Sequence, residues 1–353
     1  AMPPYLYKVQ KELGEDWNKT TLYGAFENLL DEIKDDERFR PDLVVYIGGH
    51  IVSKKLKSYL RSLKGVEQIR ISQEADIEDT FMHLTKVMDL PNSDAMSWLD
   101  NFGWHNQWED YRKLWMDALA KSYERKENFK PEFSSLATVK EFFSQLQKVE
   151  PQNFKAFTLG GKDAQDDGIY DRKFDTFLPG MMSSVFSGNS SAIRLMNLYA
   201  DRHVYCNRGV NGIEGSLSAA VGFSMCKNKS DKHVYCVLGD LSFFYDQNAL
   251  WNRNLNGKLR IIVLNNGGGA IFGKFQGLKE SQAREEMVMA KHHATAEGIS
   301  SQNEVKYLAA HTMEEMEQGI SQLIHVESEH PMLLEVFTDM DVDNEMLEAI
   351  QKC

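Results

Sequence analysis

The sequence predicts an α/β protein whose main domain is a doubly wound, mostly parallel sheet preceded by a smaller, partial α/β unit. Three observations carry that expectation. Apolar runs of four to seven residues alternate with helix-length segments through the second half of the chain. Those runs are too continuously apolar for a sheet with one wet face, so helices must cover both sides. At 353 residues the chain also has room for about two domains, and a charged stretch closed by proline, Glu124–Pro131, reads as the linker.

In the first half, Thr20–Asp36 reads as a helix, followed by a strand over Asp42–Ile47 that closes on Gly48-Gly49. Ser53 is a plausible N-cap for a helix to Leu63, with Leu56, Leu60 and Leu63 on one face. Glu67–Ser72 alternates like a short strand. Trp104, Trp108, Tyr111, Trp115 and Leu119 recur at spacings of three and four, an aromatic helix stripe that reads as core. In the second half, Ser135–Lys148 carries Leu136, Val139, Phe143 and Leu146 at helical spacing. The aperiodic segment 149–180 reads as an inserted loop, and its GGKD lacks the rest of a phosphate-binding loop. Then come a helix through Arg194, a strand at His203–Cys206, a helix over Leu217–Met225, and a strand at His233–Leu238. A helix over Phe243–Asn252, a strand at Arg260–Leu264, a polar helix near Glu280–Lys291 and a strand at Met332–Thr338 complete the pattern. The domain boundary falls near 126/127.

Charge and motif content exclude several function classes. Forty basic against 52 acidic residues give a net charge of −12, the wrong sign for a general nucleic-acid binder. An anionic substrate would therefore need cations supplied locally. No apolar run approaches the ~20 residues of a membrane-spanning helix, and AMPPYLYKVQKELGED has neither the basic flank nor the apolar centre of a signal peptide. Cys206, Cys226, Cys236 and Cys353 show no CxxC spacing. Cys206 and Cys236 lie in strand-like runs and read as small packed thiols, so a cytoplasmic, reducing location is expected. Gly209, Gly212 and Gly215 are spaced GxxGxxG rather than GxGxxG, and neither HExxH nor GxSxG occurs. Dehydrogenase, zinc-protease and serine-hydrolase readings have no support.

The chemistry concentrates at two strand ends. Val234–Gly239 delivers Asp240, and Arg260–Leu264 delivers Asn265-Asn266-Gly267-Gly268-Gly269. A right-handed crossover sets such strands parallel with their carboxyl ends on one edge, where open α/β sheets bind ligands. Asp240 and Asn266, 26 positions apart, thus become neighbours. A carboxylate, an amide oxygen and a backbone carbonyl in a glycine-rich turn are hard oxygen ligands suited to Mg²⁺ or Ca²⁺, with water and phosphate oxygens completing the shell. Taken singly, Asp240 reads better as a helix cap and the Asn-Asn-Gly run better as a turn. Their placement on consecutive strands favours a metal–diphosphate site.

GDLSFFYDQNAL followed by IVLNNGGGAIF resembles the metal–diphosphate motif of thiamine-diphosphate (ThDP) enzymes. More narrowly, it resembles the MenD family, the 2-succinyl-5-enolpyruvyl-6-hydroxy-3-cyclohexene-1-carboxylate synthases of menaquinone biosynthesis. Gly188-Asn-Ser-Ser-Ala-Ile-Arg194 and Cys206–Gly215 agree with that resemblance, which is strong over 184–275 and weaker elsewhere. It implies a ThDP-enzyme-like fold with Asp240, Asn266 and the Gly268 carbonyl as ligands of Mg²⁺ (or Mn²⁺). Gly239, Leu241 and Ser242 would flank the diphosphate. Ile213 would wedge between the cofactor's two rings, and Ile271 and Phe272 would line the same pocket. Arg194, Arg208 and Ser190, with Lys54 and Lys55, would meet the carboxylates of isochorismate and 2-oxoglutarate. Glu214 stands where the family usually has Asp, and Gly267 where it often has a third Asn.

The resemblance also implies a pyrimidine-binding domain, for which this chain has no room. The expectation is therefore a partial central domain over 1–126 and a complete diphosphate-binding domain over 127–353. The activating glutamate would lie outside the chain, leaving no catalytic acid–base residue within it. The full-length enzyme, a homodimer or tetramer, would decarboxylate 2-oxoglutarate and add the resulting carbanion to isochorismate, and the fragment alone would be inactive. Another ThDP enzyme of acetolactate-synthase or decarboxylase type, or a non-catalytic metal–diphosphate module, are the alternatives.

Overall fold

The computed structural model describes residues 22–47, 51–73, 77–101, 109–150, 183–226, 232–274 and 281–352. These described residues fall into two compact units, one drawn from 22–129 with 349–352 and one from 130–348.

The first unit is a three-stranded parallel sheet, β1 (Leu43–Ile47), β2 (Glu67–Ser72) and β3 (Lys86–Asp89), in that spatial order. Its helices are α1 (Leu22–Ile33), α2 (Lys54–Ser62), α3 (Asn92–Asn101) and α4 (Glu109–Asn128). Ser53 caps α2 as expected, its Oγ accepting the Leu56 N–H at 2.9 Å. The aromatic stripe is core where it is described: Trp115 meets Phe39 edge-on at 5.2 Å, and the Tyr111 hydroxyl donates to the Phe39 carbonyl at 3.0 Å. Trp104 and Trp108 lie outside the described residues. The division between the units falls at 129/130, inside the expected linker Glu124–Pro131, but the first part of that stretch is helix. α4 continues through Asn128 because Glu124, Arg125, Lys126 and Glu127 are good helix formers and the two cations suit its last turn. Arg125 also pairs with Glu32 of α1.

The second unit is a six-stranded, all-parallel sheet. β4 (Ser184–Ser187), β5 (Val204–Cys206), β6 (Val234–Gly239), β7 (Leu259–Asn265), β8 (Lys306–Ala310) and β9 (Met332–Phe337) lie in the order β5-β4-β6-β7-β9-β8. Every residue of β7 is buried, as the continuous apolar run requires. The helices are α5 (Ser135–Val149), α6 (Ser191–Tyr199), α7 (Ser216–Met225), α8 (Asp240–Asp246), α9 (Glu297–Gln302), α10 (Met313–His325) and α11 (Met340–Gln351). On one face Leu217, Ala220 and Val221 of α7 join Val234, Cys236 and Leu238 of β6 in the core. On the other, Tyr235 packs against Phe142 of α5 at 5.0 Å. No described helix is long and apolar enough to cross a membrane.

Two expected helices are corrected. The one over Phe243–Asn252 is α8 to Asp246 and then a 3₁₀ turn over Gln247–Trp251. The break comes at Asp246, whose carboxylate leaves the helix to accept the Ser218 N–H at 2.7 Å and the Ser218 Oγ at 2.5 Å, in the first turn of α7. The polar helix near Glu280–Lys291 reduces to one π-turn, Arg284–Val288. Here tertiary bonds outcompete helix propensity: Gly269 N–H donates to the Met289 carbonyl at 2.6 Å, and His292 N–H donates to the Gly267 carbonyl at 3.0 Å. The 149–180 insertion lies almost wholly outside the described residues, as does Cys353.

Candidate functional site

The strand order reverses between β4 and β6. From β4 the chain moves outward to β5, then returns past β4 to β6 and proceeds the other way to β7. Such a switch point leaves a crevice at the carboxyl ends of the two strands, because the following loops diverge. Gly188–Ser190 leave β4 there, and Gly239-Asp240 leave β6.

Asp240 is buried to 3% exposure. Its Oδ1 accepts the Leu241 N–H at 2.6 Å, and its Oδ2 accepts the Gly268 N–H at 2.9 Å. The second contact is what parallel pairing of Gly239 with Leu264 makes possible, since each chain then turns off the sheet at the same height. Gly268 has φ +148°, and a Cβ there would lie 2.6 Å from the Met289 carbonyl oxygen. Only glycine fits that close approach. His292 adds a cation-capable neighbour, its Nε2 3.3 Å from Asp240 Oδ2. The Asp240 carboxylate holds the His292 imidazole above its ordinary range. Nδ1 accepts the Ala294 N–H at 3.1 Å, which assigns the ring's proton to Nε2, on the side of Asp240.

The donor set fits a hard cation. Asp240 contributes charge, and among the described residues no donor bonds Asn266 Oδ1. Among the described residues the Gly268 carbonyl accepts the Ala270 N–H alone, at 3.1 Å, leaving its second lone pair. Among the described residues no group of three or more His, Cys, Asp or Glu side chains could hold a metal. A cation at this site would therefore rely on one carboxylate, neutral oxygens, water and a ligand's phosphate, the usual habit of Mg²⁺.

The other expected residues divide into groups. Ile213 and Ile271 are half-buried, and Phe272 is 40% exposed on the 3₁₀ turn Ala270–Lys274. Ser190 precedes α6 with φ +66°, a strained conformation for serine, and its hydroxyl makes no capping bond, so a helix-cap role is not its reason for being there. Arg194 is half-buried on the first turn of α6. Arg208 Nη1 donates to Asn189 Oδ1 at 2.9 Å. Asn189, 3% exposed, also donates to the Asn207 carbonyl at 3.0 Å and the Gly212 carbonyl at 2.5 Å. It thus ties the β4 turn to the loop carrying Arg208 and Ile213. Lys54 and Lys55 belong to the first unit, where Lys54 is exposed and Lys55 Nζ pairs with Asp31 at 2.5 Å.

Asn189, His292 and Asp343 are site neighbours that sequence reasoning misses. Asn189 sits inside a quoted motif, but its bonding emerges only when β4 and β5 pair. His292 and Asp343 are distant in sequence and carry no motif.

Residues 187–336 match the family model "Thiamine pyrophosphate enzyme, C-terminal TPP binding domain". Proteins named 2-succinyl-5-enolpyruvyl-6-hydroxy-3-cyclohexene-1-carboxylate synthase from Phocaeicola vulgatus and Bacteroides thetaiotaomicron are each 32% identical over 97% of this chain and 56% of their own length. The one from Christiangramia forsetii is 32% identical over 96% of the chain and 54% of its length. The chain thus spans about half the length of the curated relatives it matches. Along nearly its whole length the chain is thus similar to proteins named 2-succinyl-5-enolpyruvyl-6-hydroxy-3-cyclohexene-1-carboxylate synthase, and its second unit is similar to the carboxyl-terminal domain of thiamine pyrophosphate enzymes.

Proposed function

We propose that the second unit is a diphosphate-binding domain that holds ThDP through Mg²⁺ or Mn²⁺, with Asp240, Asn266 and the Gly268 carbonyl as ligands. We further propose that the chain is the carboxyl-terminal part of a synthase that decarboxylates 2-oxoglutarate and joins the remaining fragment to isochorismate, the first unit being part of its central domain. The observation that carries this reading is the meeting of Asp240 and Gly268 beside the switch point of the sheet.

When bound, the cofactor supplies an electron sink for the decarboxylation. The chain's own residues orient it and keep water out. Ile213, Ile271 and the exposed Phe272 offer apolar cover for its rings. Arg194 and Arg208 hold substrate carboxylates, with the planar fork of Arg208 steadied by Asn189. In a chain of net charge −12 those cations must be local, because both substrates are dianions. The Ser190 hydroxyl, not used in capping, adds a donor beside them. A monoanionic 2-oxo acid would leave one arginine without a role, which favours this reading over an acetolactate-synthase type.

The test is turnover of 2-oxoglutarate and isochorismate with ThDP and Mg²⁺. The chain is assayed alone and with the part of the Phocaeicola vulgatus relative that it does not span. No turnover alone and isochorismate-dependent release of CO₂ with the added part is expected. Robust turnover by the chain alone, or a preference for pyruvate, would contradict the proposal.

A further inference from the structure

Asn266 is fixed by a residue 77 positions away. Its Nδ2 donates to Asp343 Oδ2 at 2.8 Å, and the same oxygen accepts the Thr338 hydroxyl at 3.0 Å and the Ser135 hydroxyl at 2.7 Å. The other oxygen, Oδ1, accepts the Ser135 N–H at 2.7 Å. Ser135 opens the fifteen-residue helix α5, so the carboxylate also faces a helix amino end. Four donors converge on one side chain that, when ionised, can only accept.

From this arrangement we propose that Asp343 is a positioning residue for the metal site, holding the Asn266 amide in the one orientation that presents Oδ1 as a ligand. An asparagine amide has two nearly isosteric ends, an acceptor and a donor, and only the acceptor can coordinate a cation. A carboxylate beside it decides between them. The NH₂ end must turn toward Asp343, and Oδ1 is left facing away, where no described residue donates to it. Thr338 and Ser135 keep the carboxylate itself from rotating. Outer-shell partners of this kind commonly set metal affinity by ~10–100-fold.

The inference rests on the reading of Asn266 as a metal ligand, and the test separates the two. Mn²⁺ binding to the chain is measured by electron paramagnetic resonance in the presence of ThDP, with thermal unfolding as the check on folding. Asp343→Asn is close to isosteric but brings a donor of its own, so Asn266 can flip; Mn²⁺ affinity should fall about tenfold or more with the fold retained. The double variant Asn266→Asp/Asp343→Asn has a ligand with no wrong end, held by an amide donor, and should recover affinity to within about threefold of the unaltered chain. Unchanged affinity in Asp343→Asn, or no recovery in the double variant, while Asn266→Ala abolishes binding, would overturn the positioning role alone. Unchanged affinity in Asn266→Ala would overturn the ligand reading and this inference with it.

Discussion

The Asp240 carboxylate accepts the backbone N–H of Gly268 at 2.9 Å, joining the end of β6 to the turn that follows β7 across 28 positions of sequence. The contact closes because Gly268 adopts φ +148° against the Met289 carbonyl. Gly268→Ala should therefore strain the turn and loosen Asp240, at a cost of ~1–3 kcal/mol. Urea unfolding reads the stability change. A variant as stable as the unaltered chain would show that the turn tolerates a Cβ.

Arg208 is held by Asn189 and aimed at no described carboxylate. In an assembled enzyme, Arg208→Ala should raise the KM for a dicarboxylate substrate by about one to two decades, the loss of a charge-assisted bond of ~1.5–3 kcal/mol. Affinity for ThDP should not change. Steady-state kinetics with both substrates checks it, and unchanged constants for both would remove Arg208 from the site.

Glu335 lies fully buried in β9, where it accepts Asn265 Nδ2 at 2.7 Å, the Ala296 N–H at 2.9 Å and the Tyr307 hydroxyl at 2.7 Å. Burial and this carboxylate together push the Tyr307 hydroxyl far above its usual range. Glu335→Leu would strand three donors, each costing ~1–3 kcal/mol when buried without a partner. A loss of about 3 kcal/mol or more in urea unfolding is expected. A loss under about 1 kcal/mol would show that the three donors find other acceptors.

His233, at the amino end of β6, is pushed down to about 4 by burial and then by Arg260, Lys258 and Lys232. The folded state thus favours the neutral ring, whereas the unfolded chain titrates near 6.5. The stability this contributes is full above about 6.5 and is lost as pH falls from there through about 4. His233→Gln should flatten the decline of stability across that window. A parallel decline in both proteins would show that His233 ionises freely in the fold.

What was legible in the sequence follows from how strongly each segment declares itself. β6, β7 and β9 are mostly apolar, β7 uninterrupted from Ile261 to Leu264 and β9 broken only by Glu335, and a strand covered on both faces is the reading such runs favour. β4 is four residues long, and β8 mixes Lys306 with small residues at a sheet edge, so neither carries a period. The segment near Glu280–Lys291 has helix-forming composition, yet its backbone is committed to the glycine turn at 267–269. Of the site, Asp240 and Asn266 were readable because a crossover dictates where their strands end. Asp343 and His292 were not. Each meets the site through long-range contacts, and no local pattern marks a residue for a partner 50 or more positions away.

The central claim is that Asp240, Asn266 and Gly268 form a metal-dependent diphosphate site, and calorimetric titration of ThDP tests it most directly. Titrations into the chain and into Asp240→Ala are run with Mg²⁺ and with chelator. The expected result is weak binding that requires Mg²⁺, because diphosphate contacts in an open groove are screened by water and salt, and no measurable binding to Asp240→Ala in either condition. Near-normal, metal-dependent affinity in Asp240→Ala would contradict the account, since the cation would then be held somewhere else.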